Sequence, residues 1–171
     1  MVQIDMAAVA VAVAVFSGIN NVEGTVLFTQ HGRNCDVVAN FTQLPSGEHG
    51  FHIHQAGDLR GEGCQGACDH YHKGRPQNHG GPPEDKGERH TGDLGNIRGP
   101  SFRASYILTG VSISDLYGRS VIVHADPDDY GQGGHDDSQT TGHSGKRIGC
   151  AIIGRVQTPL CTSKTRKNRR H

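Results

Sequence analysis

The chain has 171 residues, 12 of them histidine, and its 17 basic residues balance its 17 acidic residues. This length fits one ordinary domain, and the lack of any run of about 20 apolar residues excludes a transmembrane helix. Only 33% of the residues are hydrophobic, whereas 25 are glycine and 7 are proline, so a small core must support many loops. Neutral imidazole is the commonest metal-ligating side chain, so the histidines indicate a metal site.

The N-terminal run AAVAVAVAVF, residues 7–16, has two interpretations. Its length is that of a signal-peptide core, and Ala12-Val13-Ala14 has the form of a cleavage site. However, no Lys or Arg precedes the run, and its valines and alanines alternate as they would on the two faces of a strand. We favour the strand, which in turn favours a cytoplasmic protein, located in the host cytoplasm if a virus encodes it.

Short segments with β-branched residues and period-2 alternation recur along the chain and predict an all-β fold. Glycine, asparagine, proline and serine separate them, which favours an antiparallel sandwich or barrel. Residues 113–118 predict a helical turn. The predicted strands are residues 8–16, 22–29, 35–44, 49–54, 103–108, 119–125 and 148–156.

Two long polar segments, residues 55–102 and 125–147, do not fit a plain sandwich. Loops of this length are uncommon in compact domains unless they are functional or disordered. The C-terminal stretch TSKTRKNRRH, residues 162–171, carries five basic residues and no large apolar ones. It predicts a disordered tail for which nucleic-acid contact is not expected.

Histidines occupy predicted strands in a pattern that suits metal binding. In HGFHIH, residues 49–54, His52 and His54 share one face while Phe51 and Ile53 share the other. In the later strand SVIVHAD, His124 lies on the face opposite to the valines. The long loop between these strands adds further candidate ligands, namely His70, His79, His90 and Asp93. Three strand histidines suit copper, and loop histidines with one aspartate suit zinc.

These residues stand in motifs that resemble the copper/zinc superoxide dismutases. The motifs are HGFHIH, a GC-x5-H stretch ending at His70, HGG at 79–81, RHTGDLGN at 89–96, VIVHAD at 121–126 and GKRIGCAIIG at 145–154. The resemblance spans about residues 7–158, so we expect one such domain over residues 1–158 and a basic tail over 159–171. It implies a Greek-key barrel of about eight strands with a metal-binding loop and an electrostatic loop.

The resemblance also implies a role for each motif residue. Copper would be bound by His52, His54, His70 and His124, and zinc by His70, His79, His90 and Asp93. Asp128 would link His52 to His79, and Arg147 would guide the superoxide anion to copper. His70 would bridge the two metals; His72, two residues away, is a weaker candidate for that position. His49 faces the core side and predicts a structural, hydrogen-bonded histidine, whereas His31, His135, His143 and His171 have no matching role.

The resemblance further implies a disulfide between Cys64 and Cys150, which leaves Cys35, Cys68 and Cys161 as thiols. It implies a homodimer with superoxide as substrate, and a copper chaperone is a candidate partner. One departure concerns charge, because Thr140 stands where many relatives have a steering lysine and Asp136 and Asp137 precede it. Lys146 offers partial compensation, so we expect weak long-range steering with unchanged chemistry.

The alternatives to the enzyme are a copper-delivery or metal-buffering domain and a structural zinc protein. A copper-delivery or metal-buffering domain would need a CxC or CxxC motif, but the nearest spacing, from Cys64 to Cys68, has three intervening residues. A structural zinc protein would leave His52, His54 and His124 without a purpose. The sequence therefore predicts an enzyme that converts superoxide to oxygen and hydrogen peroxide as its copper alternates between Cu(II) and Cu(I).

Overall fold

A computed structural model describes residues 10–75 and 77–156, and the basic tail lies outside these ranges. Within them the chain forms nine strands in two antiparallel sheets. One sheet has the order β6-β3-β2-β1-β9 and the other the order β5-β4-β7-β8. The strands are β1 (Val11–Ser17), β2 (Glu23–His31), β3 (Asn34–Gln43), β4 (Glu48–His54), β5 (Asp93–Arg98), β6 (Phe102–Leu108), β7 (Ser120–His124), β8 (Arg147–Ile152) and β9 (Gly154–Arg155).

This architecture confirms the predicted all-β fold, with two differences. The predicted strand at 148–156 is divided, since β8 pairs with β7 in one sheet and β9 pairs with β1 in the other. The predicted loop at 55–102 contains a strand, β5, that the sequence pattern did not indicate. The helical turn was correct and is α1 (Ile113–Leu116); a second turn, α2 (Ser138–Thr141), lies in the later loop.

The core lies between the two sheets and is linked by aromatic contacts. The rings of Phe16 and Phe41 are 5.2 Å apart, and those of Phe41 and Phe51 are 5.6 Å apart and nearly perpendicular. Phe51 projects from β4 and Phe41 from β3, so the contact joins the two sheets. Because both rings are buried, this contact fixes the sheet from which His52 and His54 project.

From Val11 onward the valine–alanine run forms strand β1, and its alanines face the core; residues 7–9 of the run lie outside the described ranges. Ala12 and Ala14 are fully buried, whereas Val15 is 58% exposed. Ala12 pairs with Phe28 on β2. The large ring of Phe28 fills the core beside Ala12, so only a small side chain fits at position 12. The alternation therefore predicted the strand but did not reveal which face is buried.

His49 has the structural role that its face of β4 predicted. Its ring is buried and lies between backbone carbonyls, with Nδ1 2.9 Å from the oxygen of His124 and Nε2 3.1 Å from that of Pro45. These contacts tie the start of β4 to the end of β7.

No helix in the described ranges is long and apolar enough to cross a membrane.

The close pairing of β2 and β3 yields a prediction about stability. A Cβ atom on Gly24 would lie 2.6 Å from the carbonyl oxygen of Asn40 and 2.7 Å from the Cα of Phe41. We expect Gly24→Ala to lower the free energy of unfolding by about 1–3 kcal/mol, since the backbone must shift to admit the methyl group. Urea denaturation at matched metal content measures this, with Gly87→Ala as control because a Cβ there meets nothing within 4 Å. Equal midpoints for the two variants would contradict the packing argument.

Candidate metal centre

Four histidines from three parts of the fold converge in one cluster, here called the four-histidine cluster. Its ligand nitrogens all lie within 4.8 Å of one another. Two members project from the end of β4, one ends β7, and the loop histidine reaches them through a single β-bridge between residues 54 and 70. The members are His52, His54, His70 and His124.

One ring nitrogen of each strand histidine is held by a hydrogen bond, which turns the other nitrogen inward. His54 Nδ1 lies 2.8 Å from the carbonyl oxygen of Cys68, and His124 Nδ1 lies 3.2 Å from that of Gly145. His52 Nε2 lies 2.7 Å from the carboxylate of Asp128. Such contacts fix both the tautomer and the orientation of an imidazole.

The other nitrogens of the cluster have no partner. Among the described residues, the buried side-chain nitrogens and oxygens without a hydrogen bond are six, and every one of them belongs to a histidine of the two clusters described here. They are His52 Nδ1, His54 Nε2, His70 Nε2, His79 Nδ1, His90 Nδ1 and His124 Nε2. A buried polar atom without a partner costs about 1–3 kcal/mol, so six of them together indicate a ligand that accepts nitrogen donors.

Burial also sets the charge of the four-histidine cluster. Removal from water lowers the pKa values of His52 and His54 well below their ordinary range, and repulsion from neighbouring imidazoles acts in the same direction. Burial lowers the pKa of His124 to about 3. These imidazoles are therefore neutral at physiological pH, which is the state that binds a metal.

A second group, the histidine–aspartate cluster, shares one member with the first. Its members are His70, His79, His90 and Asp93. Asp93 Oδ1 lies 2.8 Å from His70 Nδ1, 3.2 Å from His79 Nδ1 and 3.4 Å from His90 Nδ1. Tetrahedral zinc, with bonds of about 2.0–2.1 Å, holds its ligand atoms about 3.3 Å apart. Three nitrogens and one carboxylate oxygen at these separations fit that metal.

The carboxylate of Asp93 stays ionised in this cluster. Burial alone would raise its pKa, but the hydrogen bond with His70 and the close approach of His79 and His90 outweigh burial and lower the pKa far below the ordinary range. Its other oxygen accepts bonds from the backbone N–H groups of Gly80 and His90. The carboxylate is therefore both charged and fixed in orientation, as a metal ligand requires.

His70 belongs to both clusters, whereas His72 belongs to neither. His70 directs Nδ1 to Asp93 and leaves Nε2 on the side of the four-histidine cluster. The Nδ1 of His72 instead accepts the backbone N–H of Thr91 at 3.2 Å, and its ring centroid lies 6.0 Å from that of His90. The geometry thus favours His70 over His72 in the bridging position.

Asp128 connects the two clusters from behind. One oxygen lies 2.7 Å from His52 Nε2 and the other 2.7 Å from His79 Nε2. Burial lowers the pKa of His79, but the bond to Asp128 and the nearby carboxylate of Asp93 outweigh it and raise the pKa to about 9. The side-chain amide of Asn96 holds Asp128 in turn. Its oxygen accepts the backbone N–H of Asp128, and its nitrogen donates to the backbone carbonyl of Asp128. Sequence reasoning missed Asn96, which stands in no ligand-like spacing.

Arg147 is positioned by backbone carbonyls. Its Nη1 donates to the carbonyl of Cys64 at 2.7 Å, and its Nη2 donates to that of Cys68 at 2.6 Å. The predicted disulfide joins Cys64 to Cys150, three residues beyond Arg147 on β8. The guanidinium is therefore held against the loop that carries His70.

A cavity of about 360 Å³, here called the entry cavity, opens from solvent onto the four-histidine cluster. Lys146 lines it, but Thr140 does not. Sequence reasoning identified only part of its wall, because Asp69 is a variable position of the GC-x5-H motif and Thr141 stands in no motif. The lining residues are His54, Asp69, His70, His124, Asp137, Thr141, Gly145, Lys146 and Arg147.

Comparisons with known proteins agree with this geometry. The model of the family described as copper/zinc superoxide dismutase matches residues 22–153. A superoxide dismutase [Cu-Zn] of Paramecium bursaria Chlorella virus 1 is 41% identical over 157 residues, which cover 88% of this chain and 81% of that protein. The crystal structure of the clock protein EA4 superposes with a TM-score of 0.77 at 34% identity, covering 91% of this chain and 100% of that one.

The described geometry supplies an all-nitrogen donor set beside a set of three nitrogens and one oxygen, which suit copper and zinc respectively. The matched family model covers both sets. The chain therefore belongs to the copper/zinc superoxide dismutase family, takes copper and zinc as cofactors, and disproportionates superoxide to oxygen and hydrogen peroxide.

Proposed function

We propose that dismutation takes place at the four-histidine cluster, with copper bound by His52, His54, His70 and His124. The neighbouring cluster would bind zinc through His70, His79, His90 and Asp93. The observation that carries this assignment is the set of six buried imidazole nitrogens that lack a hydrogen-bond partner. All six belong to these ligands, and in five of the rings, all except His90, a hydrogen bond holds the other ring nitrogen.

Copper supplies the electron exchange, in which one superoxide is oxidised to oxygen and a second, with two protons, is reduced to hydrogen peroxide. His70 is suited to hold one of these protons. Its Nδ1 is kept on the side of Asp93, while Nε2 faces the four-histidine cluster and the entry cavity. Since the ring cannot turn away from Asp93, a proton on Nε2 stays within reach of the reacting oxygen.

Arg147 is suited to receive the anion. Its guanidinium lines the entry cavity, and its bonds to the carbonyls of Cys64 and Cys68 keep it there. A fixed cation at the base of a narrow cavity attracts a small anion and orients it without movement during the reaction.

The copper-delivery alternative has no support in the described residues. The only spacing that approached a transfer motif uses Cys64, whose sulfur is bonded to Cys150. The candidate copper ligands are at most 4% exposed, so a partner protein has little access to them.

We propose a homodimer that lies in the cytoplasm, formed by residues 1–158 with the basic tail outside the domain. Ile19 is 70% exposed and Ile152 is 48% exposed, and the apolar cavity of about 310 Å³ beside Ile19 suits an intersubunit contact. Cys35 and Cys68 are free thiols beside the one disulfide of the described residues. Burial raises the pKa of Cys35 to about 11, so it is unreactive.

Removal of one candidate copper ligand tests the assignment. We expect His124→Ala to lose copper and at least about 100-fold of its superoxide consumption while it keeps zinc, since His124 lies outside the histidine–aspartate cluster. Copper, zinc and activity are measured in the same sample. His31→Ala, at an exposed site on β2, serves as control. A mutant that keeps both copper and activity would overturn the assignment.

Asp128 provides a second test because it contacts a ligand in each cluster. We expect Asp128→Asn to weaken binding of both metals by about 10–100-fold, since an amide cannot accept from both imidazoles. Competition with chelators measures the two affinities, and Asp36→Asn, on the exposed side of β3, is the matched control. If only one metal is affected, Asp128 does not connect the clusters.

The dimer proposal predicts that Ile152→Asp shifts the protein from dimer to monomer in sedimentation velocity, because a carboxylate resists burial in an apolar contact. Ile107→Asp is the matched control, since Ile107 is 57% exposed on β6, at the opposite edge of the five-stranded sheet from β9. Sedimentation of the parent as a monomer, or of both variants as dimers, would contradict the proposal.

A further inference from the structure

Two histidines outside the metal clusters stack on each other beside the entry cavity. The rings of His135 and His143 are 3.7 Å apart and within 10° of parallel. His135 lies before α2 and His143 lies after it. Because α2 is a single helical turn, the two rings can meet. Gly142 and His143 both have positive φ, of 67° and 50°, which reverses the chain after α2 and brings His143 back onto His135.

His143 also contacts an acidic residue of the cavity wall. Its Nδ1 lies 2.7 Å from Asp137 Oδ1, and each side chain is 50% exposed. The hydroxyl of Thr141 approaches the other carboxylate oxygen at 3.4 Å. Both Asp137 and Thr141 line the entry cavity. The charge on His143 therefore contributes to the electrostatic potential in the entry cavity, which leads to the four-histidine cluster.

The wall of the entry cavity is balanced in charge without His143. Lys146 and Arg147 contribute two positive charges, and Asp69 and Asp137 contribute two negative ones. One proton on His143 cancels Asp137 and leaves the wall positive. The other charged groups near the pair are Asp136 next to Asp137 in the chain, and Asp129, which accepts the hydroxyl of Ser138 behind α2.

Stacking limits how many protons the two rings hold. Parallel imidazolium rings at this separation repel each other strongly, so the pair favours a single proton. Only His143 of the two has a carboxylate partner within the described hydrogen bonds, and this favours His143 as its site.

We propose that the Asp137–His143 pair, with His135 stacked against it, sets the charge that an incoming anion meets at the entry cavity and so acts as a specificity-determining element for superoxide. When His143 is protonated the pair is neutral and Arg147 attracts the anion without opposition. When His143 loses its proton, Asp137 repels the anion. This inference rests on the proposed function of the site.

The test is the second-order rate constant of the copper- and zinc-loaded protein with superoxide, measured by pulse radiolysis between about pH 6 and 8 at low and high salt. We expect the parent rate to fall about twofold to fivefold as pH rises, more steeply at low salt. His143→Gln should be flat at the slow level, whereas Asp137→Asn should be faster than the parent at every pH, because its cavity wall carries one negative charge less. Opposite shifts in two variants cannot both arise from misfolding.

His31→Gln is the matched control, because His31 forms an exposed pair with Asp36 at 3.4 Å on β2 and β3, away from the cavity. It should keep the parent profile. The inference is overturned if His143→Gln retains the parent's fall or if Asp137→Asn matches the parent at every pH. A loaded parent that consumes no superoxide would instead reject the proposed function, so the two failures are distinct.

A readout independent of activity is the carbon NMR titration of the Asp137 carboxyl in copper-free protein. The hydrogen bond from His143 lowers the pKa of Asp137. In His143→Gln this carboxyl should titrate at higher pH than in the parent, while in His31→Gln it should not change. An unchanged titration in His143→Gln would show that the pair does not form in solution and would reject the inference.

Discussion

The burial of imidazole nitrogens without partners is the constraint on which the rest of the structure depends. A barrel with a small apolar core carries six such atoms, and a bound metal would offset the cost of their burial. Metal binding therefore contributes to the stability of the fold itself. The two polar loops are ordered around these atoms, so the chain uses metal coordination where a larger domain would use apolar packing.

The barrel and the loops divide the task of building the centre. Strands β4 and β7 present His52, His54 and His124 from a rigid sheet, while the loops contribute His70, Asp93 at the start of β5, and Asp128. The members on these two strands therefore all belong to the four-histidine cluster, whereas the histidine–aspartate cluster is built by the loops and the start of β5. Asp128 then joins both halves through one carboxylate, so neither loop can move without disturbing the other.

Much of this arrangement could be predicted from the sequence. Alternation located every strand except β5, with β8 and β9 predicted as one. Buried and less buried residues alternate in β1, β2 and β3, whereas β4 and β7 are buried on both faces because the loops cover their outer side. Alternation failed at β5, where Gly95 adopts a φ of 80° and the pairing with β4 shifts register after Gly50, so the apolar residues do not alternate. The histidines were found through their motifs, but their burial was not predicted, since it depends on how the loops cover the sheet. The stacking of His135 on His143 depends on the closure of α2, which short polar sequence does not reveal.

The Cys64–Cys150 disulfide does more than fasten a loop. The carbonyl of Cys64 is one of the two oxygens against which the Arg147 guanidinium is braced, and Cys150 lies on the same strand as Arg147. One covalent bond thus joins β8, which carries Arg147, to the loop residue whose carbonyl binds the Arg147 guanidinium. Reduction of this bond would remove the covalent support behind the Cys64 carbonyl, so the position of the Arg147 guanidinium depends on the redox state of the surroundings.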